Sequence, residues 1–213
     1  MTATSARAAT ADGLHALVLA AGAARRFGSA KQLLSIQGSP LLLQVASRAA
    51  VLVGDDLIVV LGAHAEPIEA QLSGCPGRRI INPAWEEGMG SSLRAGVLAL
   101  PPACAAVLVL LADQAAVSVA DLERLRAAWH AHPERIAAAH YGEPVPRSGV
   151  PALFPRAWFP ALLQLTGDCG ARALLARHTD VVQPVPMPNA VLDIDTPEDA
   201  ARYLASPDAP RTR

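Results

Sequence analysis

Unbroken apolar runs that alternate with helical patterns constrain the fold of this chain most strongly. Runs at positions 57–61 and 107–111 contain no polar side chain, and a run interrupted only by His15 covers 14–19. Strands buried on both faces are continuous apolar segments, and they are typical of parallel sheets with helices on both sides. The pattern therefore predicts an α/β fold, with a three-layer, Rossmann-like, mainly parallel sheet and helices on both faces.

The other elements are predicted from periodicity and capping signals. Ser118 is a candidate helix N-cap, with Asp121 in the turn that follows. Pro40 and Pro197 suit first helical turns. The predicted helices cover 40–52, 65–72, 89–100, 119–130, 156–165, 170–178 and 197–204, and the further predicted strands cover 79–81, 136–139, 150–154, 181–185 and 190–194.

A single domain accounts for the length and composition of the chain. Its 213 residues are 52% hydrophobic and 17% charged, which suits a globular domain with a large core. We predict a disordered tail at 1–13, one domain over 14–205 and a second tail at 206–213. Prolines and glycines interrupt the pattern after 142, so region 142–189 is predicted to recognise a substrate.

Charge and cysteine content exclude several classes of protein. The net charge of −1 lacks the basic excess of a nucleic-acid binder. No apolar run reaches the roughly 20 residues that span a bilayer, so no membrane partner is predicted. The cysteines, Cys75, Cys104 and Cys169, have no disulfide-framework or metal-site spacing. This pattern is typical of reduced thiols, and we expect a cytoplasmic protein.

A cationic loop follows the first predicted strand. Small residues end the apolar run, and Gly22 is followed by Arg25, Arg26 and Lys31. Gly22 lets main-chain N–H groups approach a ligand, and the three cations suit polyphosphate oxygens. The spacing is neither a P-loop nor Gly-x-Gly-x-x-Gly, which disfavours an oxidoreductase. We predict a nucleoside triphosphate site here, and solvated surface cations are the alternative. The candidate residues are Leu19, Ala20, Ala21, Gly22, Arg26 and Lys31.

Acidic residues follow two other predicted strands. Asp113 follows the run at 107–111, and Asp195 follows the predicted strand 190–194. Ligands of open α/β sheets bind at the carboxyl ends of the strands, and Mg²⁺ prefers carboxylates, phosphates and water. Asp113 and Asp195 are therefore candidate ligands of one Mg²⁺. Asp193 would share a strand face with Asp195 and is the fallback. Helix capping by Asp195 or Thr196 is the alternative.

Two glycine-containing segments precede predicted helices. The first segment contains Gly90, Ser91 and Ser92 at a predicted helix N-terminus. The glycine allows a ligand to approach the backbone closely, and the serine hydroxyls and unpaired N–H groups suit a base edge or ribose. A second segment opens the helix near 170 and suits an anionic acceptor. Simple helix caps are the alternative for both segments. The acceptor candidates are Gly149, Pro151, Asp168, Gly170 and Arg172.

Taken together, these segments resemble the MobA-like nucleotidyltransferases. The family motifs occur in order over 14–204 and include Leu-Ala-Ala-Gly with Arg-Phe-Gly and Lys, Asn-Pro-x-Trp, Gly-Met-Gly-Ser-Ser-Leu, Leu-Ala-Asp-Gln, Gly-x-Pro-x-Leu-Phe, Gly-Asp-x-Gly-Ala-Arg and Asp-Ile-Asp-Thr-Pro-Glu-Asp. The family implies a nucleotide-diphospho-sugar transferase-like fold. Leu-Ala-Ala-Gly is most similar to the molybdenum cofactor cytidylyltransferase branch, because guanylyltransferases usually have Leu-Ala-Gly-Gly.

The resemblance implies transfer of CMP from CTP to the phosphate of a molybdopterin-type acceptor, with Mg²⁺ as cofactor and release of pyrophosphate. It implies that Arg26 and Lys31 act on the triphosphate and that Asp113 and Asp195 bind the metal. Arg26, Lys31 and Asp113 are therefore the candidate catalytic residues. Ser92 matches a position for base or ribose contact, and Gln114 joins the acceptor candidates. A molybdenum-dependent oxidoreductase is a possible partner.

Two positions depart from the family pattern. Ala115 stands where the family usually has proline after Leu-Ala-Asp-Gln, and Val150 replaces a polar residue before Pro151. The first departure should leave metal binding intact, whereas the second lies in the acceptor region. Three alternatives therefore remain open: a guanylyltransferase, a sugar-phosphate or alcohol nucleotidyltransferase, and a non-catalytic carrier of molybdenum cofactor.

Overall fold

This computed structural model describes residues 10–23, 31–142, 145–194 and 196–204. In chain order the strands are β1 Leu14–Ala20, β2 Ser35–Ile36, β3 Ser39–Pro40, β4 Leu57–Leu61, β5 Arg78–Ile81, β6 Ala106–Leu111, β7 Ile136–Tyr141, β8 Arg147–Pro155 and β9 Val182–Pro186. The helices are α1 Leu41–Val53, α2 Ala65–Gln71, α3 Met89–Leu98, α4 Val119–Ala131, α5 Phe159–Leu163, α6 Ala171–Arg177 and α7 Pro197–Leu204. None of these helices is long and apolar enough to cross a membrane.

Seven strands form one sheet in the order β5-β4-β1-β6-β8-β7-β9, and β2 pairs separately with β3. β1 is parallel to both of its neighbours, β4 and β6, whereas β8 is antiparallel to β6 and β7. From β1 the chain crosses first toward β4 and later toward β6. The carboxyl ends of β1 and β6 therefore flank a topological switch point, where ligands of such sheets bind. The predicted mainly parallel sheet is confirmed.

Apolar side chains on both faces of the sheet form two cores and so produce three layers. All seven residues of β1 are buried, and its side chains alternate between the two faces. Helices α1, α2 and α4 cover one face, where Ala16, Val18, Val45, Ile68 and Leu125 pack together. Helices α3, α5 and α6 cover the other face, where Leu17, Leu93, Leu162 and Leu174 pack together.

The folded domain includes residues that the sequence assigns to a tail. Thr10 donates its amide to the Asp56 carboxylate at 2.7 Å. The Asp12 carboxylate accepts hydrogen bonds from Arg126 at 2.7 Å and lies 2.9 Å from His130 Nε2, both on α4. Burial opposes ionisation of Asp12, but hydrogen bonds from Leu14, Arg126 and His130 lower its pKa. Residues 10–13 are thus attached to the domain, while 1–9 lie outside the described residues.

The predicted strand over 190–194 is wrong. The segment Pro188–Val191 forms a 3-10 helix instead. The amides of Ala190 and Leu192 bond to the carbonyls of Met187 and Asn189, three residues earlier. Because these N–H groups bond locally, they cannot pair with a neighbouring strand. The argument that Asp193 and Asp195 share one strand face therefore fails.

Ser118 caps α4 as predicted. Its hydroxyl accepts the Asp121 amide at 3.2 Å, and the Asp121 carboxylate accepts the Ser118 amide at 2.8 Å. The Asn189 side chain also donates to Asp121, at 2.7 Å. Burial alone would raise the pKa of Asp121, but the hydrogen bonds from Ser118 and Asn189 and the charge of Arg124 lower it. This carboxylate therefore joins α4 to the segment before α7.

Candidate functional site

The turn after β1 lies at the switch point, and hydrogen bonds to its carbonyl groups hold it in place. The Ala21 carbonyl accepts the Ala63 amide at 3.0 Å. The buried Gln32 side chain donates to the carbonyls of Ala20, at 3.1 Å, and Gly22, at 2.7 Å. Within the described residues, a Cβ at Gly22 would meet nothing within 4 Å. Among the described residues, Gly22 therefore exposes its backbone at this turn.

The other predicted residues of this loop differ in what the structure describes. Leu19 and Ala20 bury their side chains in the core, so they would offer only backbone groups to a ligand. Lys31 begins the short helix Lys31–Leu33, which returns the chain to the end of β1. Arg26 lies outside the described residues. The roles of Arg26 and Lys31 on a triphosphate remain predictions.

The loop at 113–117 is held by side chains from distant elements. The Ala115 carbonyl accepts hydrogen bonds from the Arg48 guanidinium of α1 and from the Tyr203 hydroxyl of α7, the latter at 2.9 Å. The Ala116 carbonyl accepts from Asn189 at 2.8 Å. Tyr203 is 3% exposed, so its bond is shielded from water. The loop is therefore set in one conformation by three separate parts of the chain.

Asp113 opens this loop beside the turn after β1. Ala112 donates its amide to the Leu19 carbonyl at 3.1 Å, and Ile194 donates its amide to the Asp113 carbonyl at 3.2 Å. Asp195, which directly follows Ile194, lies outside the described residues. The two segments that carry the predicted metal ligands are thus in contact. No cluster of three or more metal-binding side chains occurs in the described part of the chain.

The cap of α7 separates two interpretations of the acidic segment. The Thr196 hydroxyl accepts the Asp199 amide at 3.1 Å, and the Asp199 carboxylate accepts the Thr196 amide at 3.0 Å. These reciprocal bonds form a capping box. Thr196 therefore performs the capping that the sequence pattern offered for Asp195 or Thr196, and Asp195 is not needed as the cap.

Asn82, which the sequence analysis did not select, organises the two candidate serines. Its amide group donates to Ser91 Oγ at 2.8 Å and to Ser92 Oγ at 3.1 Å, and its carbonyl accepts the Ala84 amide at 3.0 Å. Ser91 Oγ also lies 2.8 Å from the carbonyls of Ala84 and Gly88. The Ser91 hydroxyl is thus engaged within its own loop. An asparagine directly after a predicted strand was the available signal.

The two glycine-containing segments contact each other. Gly90 donates its amide to the Gly167 carbonyl at 2.9 Å. A Cβ at Gly88 would lie 2.5 Å from Asp168 Oδ1, and one at Gly90 would lie 2.9 Å from neighbouring backbone. A Cβ at Gly170 would overlap the methionine side chain of α3. Because these glycines have no Cβ, the segment at 88–90 packs directly against the segment at 165–170. The predicted nucleotide segment and the predicted acceptor segment are therefore in contact.

Gln114 joins the 113–117 loop to β8. Its side-chain nitrogen donates to the Val150 carbonyl at 2.8 Å, and its side-chain oxygen accepts the Leu111 amide at 3.1 Å. Gln114 is 2% exposed, and Pro151 is buried after a cis peptide bond. The nitrogen and the oxygen of the Gln114 side-chain amide are thus both hydrogen-bonded to main-chain groups. Gln114 therefore positions the loop, and the structure shows no direct path from its side chain to solvent.

Tyr141 occupies the space that Gly149 leaves. A Cβ at Gly149 would lie 2.2 Å from the Tyr141 hydroxyl oxygen. The exposed Arg147 places its guanidinium carbon 5.8 Å from the centroid of the Tyr141 ring. Burial and the charge of Asp193 raise the pKa of Tyr141, while Arg147 and the exposed Arg172 act in the opposite direction. Sequence reasoning missed Tyr141 and Arg147, although both flank the interrupted segment after 142.

The fold and this edge of the sheet define the class of the protein. An open turn after β1, an acid after β6 and an acidic segment in contact with it lie together at the switch point. This is the arrangement of a nucleotidyltransferase with the nucleotide-diphospho-sugar transferase fold. The chain belongs to the MobA-like NTP transferase domain family, whose sequence profile matches residues 16–182. The predicted family and fold are therefore confirmed.

Individual relatives cover nearly the whole chain. The nicotine blue oxidoreductase of Paenarthrobacter nicotinovorans is 33% identical over 196 residues, which are 88% of this chain and 95% of the relative. Rv0371c of Mycobacterium tuberculosis, solved with manganese, has a TM-score of 0.71 and 26% identity, and the match covers 91% of this chain and 98% of that one. A nucleotidyl transferase from a Methanothermobacter species has a TM-score of 0.74 and 25% identity, with 90% and 96% covered.

Proposed function

We propose that this protein transfers CMP from CTP to the phosphate of a molybdopterin-type acceptor and releases pyrophosphate. The observation that carries the proposal is the 3.2 Å bond from the Ile194 amide to the Asp113 carbonyl. It sets the acidic segment before α7 beside the acid after β6, next to the open turn after β1. The segment Leu-Ala-Ala-Gly at 19–22 supports CTP as the donor.

The oxygen donors at this edge suit a Mg²⁺ ion. Asp113 and Asp195 would hold it together with phosphate oxygens and water, since Mg²⁺ is commonly bound by one or two carboxylates. When bound, the ion neutralises charge on the α-phosphate as pyrophosphate leaves. The manganese in the Rv0371c structure supports a divalent cation in a related protein.

The proposed reaction is an in-line displacement at the α-phosphorus. An oxygen of the acceptor phosphate forms a bond to this phosphorus, and the bond to the bridging oxygen of the β-phosphate breaks, so its electron pair leaves with pyrophosphate. An acceptor phosphate is already ionised at neutral pH, so a dedicated base is not required. Arg26 and Lys31 are proposed to bind the triphosphate. Catalysis then consists of positioning and charge stabilisation.

The direct test is pyrophosphate release from four nucleoside triphosphates with purified molybdopterin. We expect turnover with CTP to exceed turnover with GTP. A sugar phosphate and a sugar alcohol serve as competing acceptors in the same assay. Faster turnover with either of these, or calorimetric binding of GTP tighter than CTP, would contradict the proposed substrates.

A non-catalytic carrier would behave differently in this assay. It would bind molybdenum cofactor and deliver it to a molybdenum-dependent oxidoreductase without using CTP. The family and the contact between the two acidic segments favour the transferase. Cofactor binding with no CTP turnover would favour the carrier.

An oxidoreductase activity is the second candidate function. It is favoured by the 33% identity to the nicotine blue oxidoreductase over most of both chains. The test is the visible absorbance of nicotine blue with this protein as the catalyst and a nicotinamide cofactor as the trial electron donor or acceptor. A protein-dependent absorbance change together with no pyrophosphate release from any triphosphate would replace nucleotidyl transfer with a redox activity.

A further inference from the structure

Tyr141, at the end of β7, packs directly against Gly149 of β8. In the β-ladder Tyr141 pairs with Arg147, and His140 with Ser148. The Tyr141 hydroxyl lies over Gly149, whose missing Cβ would be 2.2 Å away. Any larger residue at 149 would displace the phenol, so the glycine fixes where this hydroxyl stands.

This hydroxyl is connected to the proposed reaction centre by backbone. Gly149 is followed by Val150, whose carbonyl accepts the Gln114 side chain at 2.8 Å. Gln114 in turn directly follows Asp113. One hydrogen bond, between Gln114 and Val150, therefore links the neighbour of Gly149 to the neighbour of the candidate metal ligand Asp113. A ligand at Tyr141 would lie on the same edge of the sheet as a ligand at Asp113.

The charges around Tyr141 favour an anion. The guanidinium carbon of Arg147 lies 5.8 Å from the ring centroid, and Arg172 also acts electrostatically on the phenol. Asp193 is the opposing charge that acts on it. Among the described residues that act electrostatically on the phenol, two are arginines and one is an aspartate. The arginines are exposed, so their guanidinium groups are accessible to a ligand from solvent.

We propose that Tyr141 and Arg147 bind the phosphate of the acceptor, with the phenol as a neutral hydrogen-bond donor and the guanidinium as the counter-charge. This inference rests on the proposed function, because it assigns the acceptor subsite of that same reaction. Burial raises the pKa of Tyr141, so its hydroxyl remains protonated at neutral pH and can donate. Arg147 and Tyr141 then select acceptors that carry a phosphomonoester.

The test compares molybdopterin with its dephosphorylated form by calorimetric titration. We expect Tyr141→Phe and Arg147→Gln each to weaken binding of molybdopterin about tenfold to a hundredfold, the size of a hydrogen bond to a charged group. Binding of the dephosphorylated form should not change. In the turnover assay, KM for molybdopterin should rise while KM for CTP stays constant. Arg177→Gln, an exposed arginine at the other end of α6, is the matched control.

Several outcomes would overturn the assignment. Equal losses for both pterins would show that the phosphate is not the group recognised, and a raised KM for CTP would place the residues on the donor side. If wild type does not bind molybdopterin, wild type and the same variants are titrated with inorganic phosphate by calorimetry. Phosphate binding that Tyr141→Phe weakens would keep this site and reject the proposed acceptor. No phosphate binding would reject both.

Gly149→Ala supplies a second, independent variant. It should weaken molybdopterin binding as Tyr141→Phe does, because the added Cβ displaces the hydroxyl. Combining the two changes should give no further loss, since both act on one contact. Additive losses in the double variant would show that Gly149 acts separately from Tyr141.

Discussion

Two parts of the sheet edge are built in opposite ways. At the β1–β6 edge, which comprises the turn at 20–22, the segment 82–92 and the loop 113–117, buried amides hold the backbone. Gln32, Asn82 and Gln114 are each at most 3% exposed and bond to main chain or to buried hydroxyls. At the β7–β8 edge, which comprises 140–142, 147–151 and the start of α6, the charged side chains of Arg147 and Arg172 are exposed.

The difference suggests that the β1–β6 edge carries the reaction chemistry and that the β7–β8 edge recognises the acceptor. Replacing one of these buried side-chain amides would leave polar groups of the backbone without a hydrogen-bond partner. Substitutions at the β1–β6 edge should therefore lower the free energy of unfolding. Exposed charges carry no such constraint, and substitutions there change ligand preference more than folding. We therefore expect the nucleotide and metal chemistry to be invariant under mutation of the β7–β8 edge.

The largest expected effect is at Asp113. Asp113→Asn should lower kcat for pyrophosphate release by on the order of 10³-fold, since it removes a charge that stabilises the reacting phosphate through the metal. Thermal stability should barely change, because the asparagine side chain has nearly the same size and its carbonyl oxygen can also accept hydrogen bonds. The exposed Asp180→Asn is the control. Wild-type kcat in Asp113→Asn would move the chemistry away from the β1–β6 edge.

The cationic loop should show the next largest effect. Arg26→Ala and Lys31→Ala each remove charge-assisted contacts to the triphosphate worth roughly 1.5–3 kcal/mol. We expect kcat/KM for CTP to fall accordingly, with the circular dichroism spectrum unchanged. If kcat/KM for CTP is unchanged in both variants, the loop does not bind the triphosphate.

Two glycines of the β1–β6 edge should respond in contrasting ways. Gly90→Ala places a Cβ 2.9 Å from neighbouring backbone, and overpacking of this kind costs about 1–3 kcal/mol of unfolding free energy. Gly22→Ala points into open space within the described residues, so stability should change by less than about 0.5 kcal/mol while KM for CTP rises. Urea denaturation and steady-state kinetics measure both. Similar stability losses in the two variants would contradict the packing assigned to Gly90.

The smallest effect concerns acid stability at Asp121. Its folded pKa is lowered from 3.8, so the ionised carboxylate stabilises the fold above about pH 3.8 and this contribution is lost as pH falls through the folded pKa. Asp121→Asn should therefore be less stable than wild type at pH 6, and the gap should narrow below pH 3.8. Urea midpoints from pH 6 to pH 3 test this. A gap that stays constant would assign the effect to the hydrogen-bond geometry alone.

Sequence reasoning located the elements whose signals are local. The apolar runs marked β1, β4 and β6, and Ser118 with Asp121 marked the start of α4. It failed over 190–194, because short apolar segments do not show whether their amides bond locally or to a neighbouring strand. It also selected Gly149 as an acceptor candidate, and this stays a prediction; the structure adds that the Tyr141 side chain lies beside Gly149.

The residues missed at the site share a physical cause. Asn82 and Tyr141 acquire their roles from partners that only the fold brings near, such as Ser91, Ser92 and Gly149. Gln114 was selected, but its bonds to Leu111 and Val150 depend on the pairing of β6 with β8. Periodicity and spacing contain no information on such tertiary contacts.

The bond from Tyr203 to the Ala115 carbonyl has a consequence for the order of inactivation. It joins residues 88 apart, and α7 is an eight-residue helix. Terminal helices open locally at a lower free energy than central strands. Opening of α7 would remove one of the three side chains that hold the 113–117 loop while β1, β4 and β6 remain paired. Activity should therefore disappear at a lower urea concentration than the ellipticity of the sheet, so that a kinetic assay detects a partly opened species that spectroscopy counts as native.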